Sequence, residues 1–221
     1  MQAINPITHP AEMDNSLDKA LKSLNQSPVY KTYFYKAFGD SAATSQRLLK
    51  ALAQFTVSLE SYNSKYDKYM RHETGGEMTE QELNGLRLFR NYCASCHKEP
   101  LFTDFSFQNN GLTLDPDYSD LGRFRITLNP DDSMKFKVPT LRNIEFTYPY
   151  MHDGRFLKLK EVVNHYTSFY TEGGIQPYRN VAKSLQNPII MSPNEKKDLI
   201  AFLLTLTDKE FLYNKNFGFP Q

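Results

Sequence analysis

Thr79-Glu-Gln-Glu-Leu-Asn-Gly-Leu-Arg-Leu-Phe-Arg-Asn-Tyr-Cys-Ala-Ser-Cys-His97 is the stretch on which the reading of the whole chain turns. Thr79 and Glu82 have the spacing of a capping box, in which each side chain satisfies the other's free backbone N–H. Leu83, Leu86 and Phe89 then fall on one stripe, so a helix is expected to run from the box into Cys93. Directly after it come two thiols three residues apart and an imidazole. Two sulfurs on one turn can add to the two vinyl groups of a single haem, and the adjoining His is then held under the iron.

Other uses of the pentapeptide fit less well. A zinc site needs four ligands, usually with a second Cys/His pair at short spacing, and none is present. A thioredoxin-type pair belongs at a strand-to-helix junction, whereas this pair follows a helix and leaves His97 without a task. Two unrelated buried cysteines are the bland alternative, but Cys93 and Cys96 are the only two in 221 residues. A second axial group is open among His9, His72, His152, His165, Met134 and Met151.

Composition sets the outer limits. Hydrophobic residues make up 40% and charged residues 23%, a globular balance. Lys+Arg is 26 against Asp+Glu 25, a net charge of +1, without the basic excess of a nucleic-acid binder. The longest apolar run, 200–206, is too short to span a bilayer, no secretory leader is seen at the start, and two cysteines cannot build a disulfide framework.

Working outward, the chain reads as mainly α. Residues 1–10 carry two prolines and are expected to be loop. A helix is expected from Asn15, with Leu17, Leu21 and Leu24 on one side and Asp14 or Asn15 as cap. Pro28 opens another, with Tyr30, Phe34 and Phe38 in line and Gly39 as its stop. A third begins near Ser41, with Leu48, Leu52, Phe55, Leu59 and Tyr62 on its face. The polar stretch 64–77, ending in Gly75-Gly76, reads as a linker or domain edge. Residues 98–156 are expected to be mostly loop, with one hairpin around Gly122 to Phe136. Helices are expected again over Leu159–Tyr166 and after the capping box Ser192-Pro-Asn-Glu195.

The chain also resembles a known family, the bacterial di-haem cytochrome c peroxidases and the MauG-type methylamine-utilisation enzymes. The matching pieces, in order, are 83–97, Phe102-Thr-Asp104, Asp120-Leu-Gly-Arg123, Phe136-Lys-Val-Pro-Thr-Leu-Arg-Asn143, Thr147-Tyr-Pro-Tyr-Met-His-Asp-Gly-Arg-Phe156 and Glu161-Val-Val-Asn-His-Tyr166. Pro6-Ile-Thr-His-Pro-Ala-Glu-Met13 resembles the segment after the family's first haem. The resemblance implies a cytochrome c-like haem domain over 77–221, preceded over 1–76 by a helical remnant of the first, peroxidatic haem domain. The chain is thus expected to be a partial family member, the electron-transfer half of an enzyme that reduces hydrogen peroxide. Its implied partners are a small donor (cytochrome c or cupredoxin) and the missing upstream haem domain. A mono-haem electron carrier without peroxidase activity is the alternative, and a helical interaction module without haem a further rival.

By position, the resemblance implies that Cys93 and Cys96 hold the haem, that His97 is the proximal ligand and that Tyr166 is the distal one, as in the MauG-type enzymes. One register of error would put His165 there. His152, Arg123, Lys137 and Arg142 are implied to help seat the haem and its propionates. Gln2 and Glu12 match the peroxide-pocket pair, a carboxylate that shuttles a proton and an amide that orients peroxide. Thr147 and Pro149 match carbonyls that bind calcium, a hard cation suited to oxygen ligands. Haem c is attached outside the cytoplasm, so the mature protein is expected to be periplasmic. The amphipathic helices of the first region are expected to expose a face that invites homodimerisation.

Overall fold

The computed structural model describes residues 3–168 and 180–218. Ten α-helices are found among them, with a single two-stranded ladder. The chain divides into two compact units, Met1–Glu60 with Asn216–Gln221, and Ser61–Lys215. The 64–77 edge expected from sequence falls inside the second unit.

The first unit holds α1 (Asn5–Thr8), α2 (Leu17–Gln26), α3 (Pro28–Phe38) and α4 (Ser45–Ser58). The expected loop at 1–10 therefore contains a helical turn, opened by Pro6 at a position where its missing N–H costs nothing. The cap of α2 is Ser16, whose hydroxyl accepts from the Lys19 N–H, and not Asp14 or Asn15. Helix α3 stops at Gly39 as expected, in the left-handed conformation at φ +74°. Helix α4 starts later than Ser41, at Ser45, and is capped by Thr44, whose side chain accepts from the Arg47 N–H. It stops before Leu59, so Tyr62 is not on it. Asn25 ties the α2 end to the loop before α4, accepting from the Ala43 N–H at 2.8 Å and donating to the Ala43 carbonyl at 2.9 Å.

The second unit holds α5 (Lys65–Met70), α6 (Glu80–Tyr92), α7 (Phe124–Thr127), α8 (Leu159–Ser168), α9 (Pro193–Leu204) and α10 (Lys209–Leu212). Its centre is the crossing of α6 and α9. Gly85 makes the approach possible, since a Cβ there would lie 2.0 Å from the Asp198 carbonyl oxygen and 2.7 Å from the Phe202 Cβ. Phe89, Phe102, Phe202 and Tyr66 meet around that crossing, with ring centroids 4.9–6.3 Å apart. Tilted and edge-on pairs of this kind add to the burial term.

The supposed linker 64–77 is overturned in part. Ser64 and Asp67 form a capping box that opens α5, and Tyr66 is 1% exposed. Asp67 takes a bidentate pair from Arg142 at 2.8 Å to each oxygen. Polar composition concealed a core segment because its charge is neutralised from elsewhere in the chain. The expected hairpin at Gly122–Phe136 is also replaced. The antiparallel ladder joins β1 (Phe107–Gln108) to β2 (Phe136–Lys137), while 124–127 is the helical turn α7. Between α6 and α8 regular structure is sparse, as expected. Both capping boxes, Thr79/Glu82 and Ser192/Glu195, are formed.

Candidate functional site

Helix α6 delivers the two thiols. Cys93 is its C-cap, with its N–H bonded to the Phe89 carbonyl at 2.8 Å. The chain then continues as one tight turn, the N–H groups of Cys96 and His97 both reaching the Cys93 carbonyl, at 3.2 and 2.9 Å. Both cysteines are free thiols. Burial, with the neighbouring Cys96, pushes the Cys93 thiol up to about 12, so it rests protonated. Cys96 Sγ lies 3.8 Å from the Ser184 hydroxyl.

His97 is oriented from behind. Its Nδ1 lies 3.0 Å from the Phe102 carbonyl and 3.1 Å from the Pro139 carbonyl. Two acceptors at one nitrogen require that Nδ1 carry the proton, which leaves the lone pair on Nε2. Burial holds this imidazole below its usual range, with the two carbonyls opposing, so it is neutral. A neutral imidazole whose second nitrogen donates to backbone is the state a metal ligand requires.

Tyr166 projects from α8 and packs on the main core alongside Cys93 and Ala94. Burial pushes its phenol up to about 12, opposed by a side-chain hydrogen bond from Asn110. The Cys93 and Cys96 thiols push in the same direction as burial. His165, its neighbour on the helix, is committed elsewhere, with Nε2 3.0 Å from the Asn110 carbonyl and its ring edge-on to Tyr166 at 5.0 Å. The elements around this turn thus carry two free thiols, one oriented imidazole and one partly buried phenol. Thiols are the groups that could hold a haem c covalently, and an imidazole or a phenol could bind its iron. Among the described residues no group of three or more His, Cys, Asp or Glu is placed to hold a metal ion.

The remaining candidates have their own partners. His152 stacks on Phe136 at 3.7 Å between centroids, and burial lowers its pKa against the pull of Asp153. Arg123 pairs with Asp132 at 3.1 Å and covers the Phe107 ring at 4.3 Å. Lys137 covers the Phe105 ring at 5.2 Å. Arg142 is spent on Asp67 and on the Pro100 carbonyl. Thr147 follows the short turn Ile144–Phe146, and Pro149 follows a cis peptide bond. Met134 is 3% exposed, and the Met151 sulfur accepts from the Asn110 amide at 3.4 Å. Glu12 is exposed on the first unit, and Gln2 lies outside the described residues. Asn110 escaped the sequence reading. It stands in a polar loop, and only its partners 41 to 55 residues downstream mark it out.

Comparison with known proteins points one way. A family profile described as di-haem cytochrome c peroxidase matches residues 1–75. The cytochrome c551 peroxidase of Nitrosomonas europaea is 36% identical over 212 residues, covering 93% of this chain and 58% of its own. The methylamine utilization protein MauG of Methylorubrum extorquens is 35% identical, covering 93% and 57%. A crystal structure titled as a MauG-like protein associated with microbial copper homeostasis superposes with a TM-score of 0.84 at 29% identity. It covers 99% of this chain and 71% of that one. The chain thus spans a little over half the length of the curated relatives it matches.

Proposed function

Because this chain belongs to the di-haem cytochrome c peroxidase and MauG family, we propose that its second unit carries one covalent haem c and serves as the electron-transfer centre of a peroxide-reducing oxidoreductase. The observation that supports this reading is His97. Its Nδ1 is held by two backbone carbonyls while Nε2 stays available, one residue past the second of two free thiols.

The haem, when bound, supplies the one-electron chemistry. The protein's own residues do the rest. Cys93 and Cys96 would hold the porphyrin through their sulfurs, and the carbonyls of Phe102 and Pro139 orient the His97 ring, whose Nε2 would bind the iron. Tyr166 would offer an oxygen donor, and a phenolate favours the oxidised metal. The aromatic core of Phe89, Phe102 and Phe202 supports the elements that carry these groups. For the complete reaction, peroxide takes two electrons and two protons and leaves as two waters. Electrons come from a small donor protein, a cytochrome c or cupredoxin, and Glu12 with Gln2 handles the peroxide and its protons. Thr147 and Pro149 offer carbonyl oxygens to a calcium ion, and His152 and Arg123 help seat the porphyrin. The site of action is the periplasm. No helix among the described residues is long and apolar enough to cross a membrane.

A second reading, a mono-haem carrier, is favoured by one observation: the 221 residues contain one Cys-x-x-Cys-His. Peroxide consumption by the haem-loaded chain with a reduced donor separates the two. Turnover, whether by the chain alone or restored by a separately supplied haem domain of the family, supports the peroxidase. Reversible reduction without turnover under either condition supports the carrier.

A further inference from the structure

Two aromatic rings lie open on the surface of the second unit, Phe105 at 55% and Phe107 at 37% exposed. Each has a cation over its face. The Arg123 guanidinium stands 4.3 Å from the centre of the Phe107 ring, and the Lys137 ammonium 5.2 Å from that of Phe105. Phe107 and Lys137 are also direct partners in the β1–β2 ladder, so their side chains share one face. Arg123, Phe107, Lys137 and Phe105 thus form one continuous row.

The row is held stiffly. Phe105 sits at φ +59°, a left-handed conformation that costs free energy for an aromatic residue. Thr103 fixes it there, its hydroxyl accepting from the Phe105 N–H at 3.0 Å and donating to the Val138 carbonyl at 2.6 Å. The Val138 N–H donates to the Ser106 carbonyl at 2.8 Å. In the next residue, Pro139, the carbonyl is the one that meets His97 Nδ1. A bonded stretch of chain therefore joins the exposed row to the candidate site.

The charge of this corner has a sign. Arg123, Lys135 and Lys137 are set against Asp132, which the first two share at 3.1 and 3.4 Å. Asp104 spends one oxygen on the N–H and hydroxyl of Ser106. Aromatic and Arg side chains are the usual anchors of protein interfaces, and a cation over a ring gains when water is excluded from it.

We propose that this row is the docking surface for a protein electron carrier whose own face presents carboxylates around an apolar patch. The inference names the chemistry of the donor in the proposed function and rests on that reading. Lys137 and Arg123 steer the acidic rim, and the Phe105 and Phe107 rings pack on the apolar centre. The carrier gives up one electron to the haem-loaded chain, with no bond made or broken.

The test uses the haem-loaded full chain and reduced plant-type ferredoxin, an acidic and strongly reducing one-electron carrier. Reduction is followed by stopped-flow absorbance and binding by calorimetry, at low and at about 150 mM ionic strength. A basic cytochrome c of the mitochondrial type is the opposite-charge probe for binding, and dithionite is the reductant that needs no docking. The proposal expects the ferredoxin rate to fall as salt rises. It expects Lys137→Glu to lower that rate about tenfold at low salt and Lys137→Gln about threefold. Phe105→Ser should lower it about fivefold at both ionic strengths, because an apolar contact is not screened. Dithionite should reduce every variant alike, and Tyr213→Ser, an exposed aromatic at the end of α10, should change nothing. A ferredoxin rate unmoved by Lys137→Glu or by Phe105→Ser overturns the proposal, as does tighter binding of the basic cytochrome. Should Lys137→Glu not fold, Lys137→Gln with Phe105→Ser decides. A chain that matures without haem fails the proposed function, and calorimetry with the same variants still decides the docking surface.

Discussion

The two units of this chain bury very different amounts of apolar surface. In the second, Leu86, Phe89, Phe102, Leu199, Phe202 and Leu206 are nearly or wholly buried and touch one another across the crossing of α6 and α9. In the first, Ile7, Phe34 and Ala43 are the buried apolar residues among those described, and neither α2 nor α4 buries any. Val29, Tyr35, Phe55 and Val57 of that unit are 45–68% exposed. Both units have well-capped helices, so local signals alone do not account for the contrast. Capping contributes about 1 kcal/mol at a helix end, whereas each buried aromatic contributes several times that. The lesson is that the first unit owes its helices to local signals and the second to packing.

Substitutions at the α6–α9 crossing carry the largest expected effect. Phe202→Ala should cost about 3–5 kcal/mol in urea unfolding. Gly85→Ala should act similarly by forcing the helices apart, because its new methyl has no room against the Asp198 carbonyl. A loss below about 1 kcal/mol for both would mean that the second unit is not held by this core.

Next comes the buried pair Arg142–Asp67, with side chains 12% and 7% exposed. Arg142→Met should cost about 3 kcal/mol, because it strands the Asp67 carboxylate in the interior. The same pair sets a pH dependence. Burial opposes the charge on Asp67, but Arg142 and Ser64 hold its carboxyl below the usual carboxylate range. Burial likewise opposes the charge on Glu99, and Arg90 with Tyr66 overcomes it. The folded state thus binds fewer protons than the unfolded chain. This stability is present above the ordinary carboxylate pKa of about 4 and is lost as pH falls further. Unfolding midpoints at pH 7 and pH 3 should differ, and the difference should shrink in Arg142→Met. An unchanged difference would assign the acid sensitivity to other groups.

The smallest effects belong to the first unit. Val57→Ser on the exposed side of α4 should change stability by at most about 0.5 kcal/mol. Hydrogen exchange extends the same contrast, with amides of α2 and α4 exchanging before those of α6 and α9. Equal protection would erase the difference between the units.

Much of this was readable from the chain. The Thr79/Glu82 and Ser192/Glu195 boxes announced α6 and α9 because a capping signal is local. Gly39 closed α3 for the same reason. The thiol-thiol-imidazole turn was legible because its chemistry is confined to five consecutive residues. The missed features are non-local. Asp67 looked like linker because Arg142, which neutralises it, lies 75 residues away. The β1–β2 pairing was displaced from the expected hairpin because Phe107 meets Lys137 across a long loop. Asn110 gave no signal because its contacts with Met151 and His165 exist only once residues 41 and 55 positions downstream are folded against it. Composition reported neither unit's burial, since amphipathic stripes look alike whether or not a partner surface covers them.

The central claim is that Cys93 and Cys96 tether an iron porphyrin over His97. Its most direct test is the intact mass and pyridine haemochrome spectrum of protein matured in a host equipped to attach haem c. One covalent haem per chain, lost entirely in Cys93→Ser with Cys96→Ser, is the predicted result. A chain of apo mass carrying a Cys93–Cys96 disulfide or a bound zinc ion would contradict it.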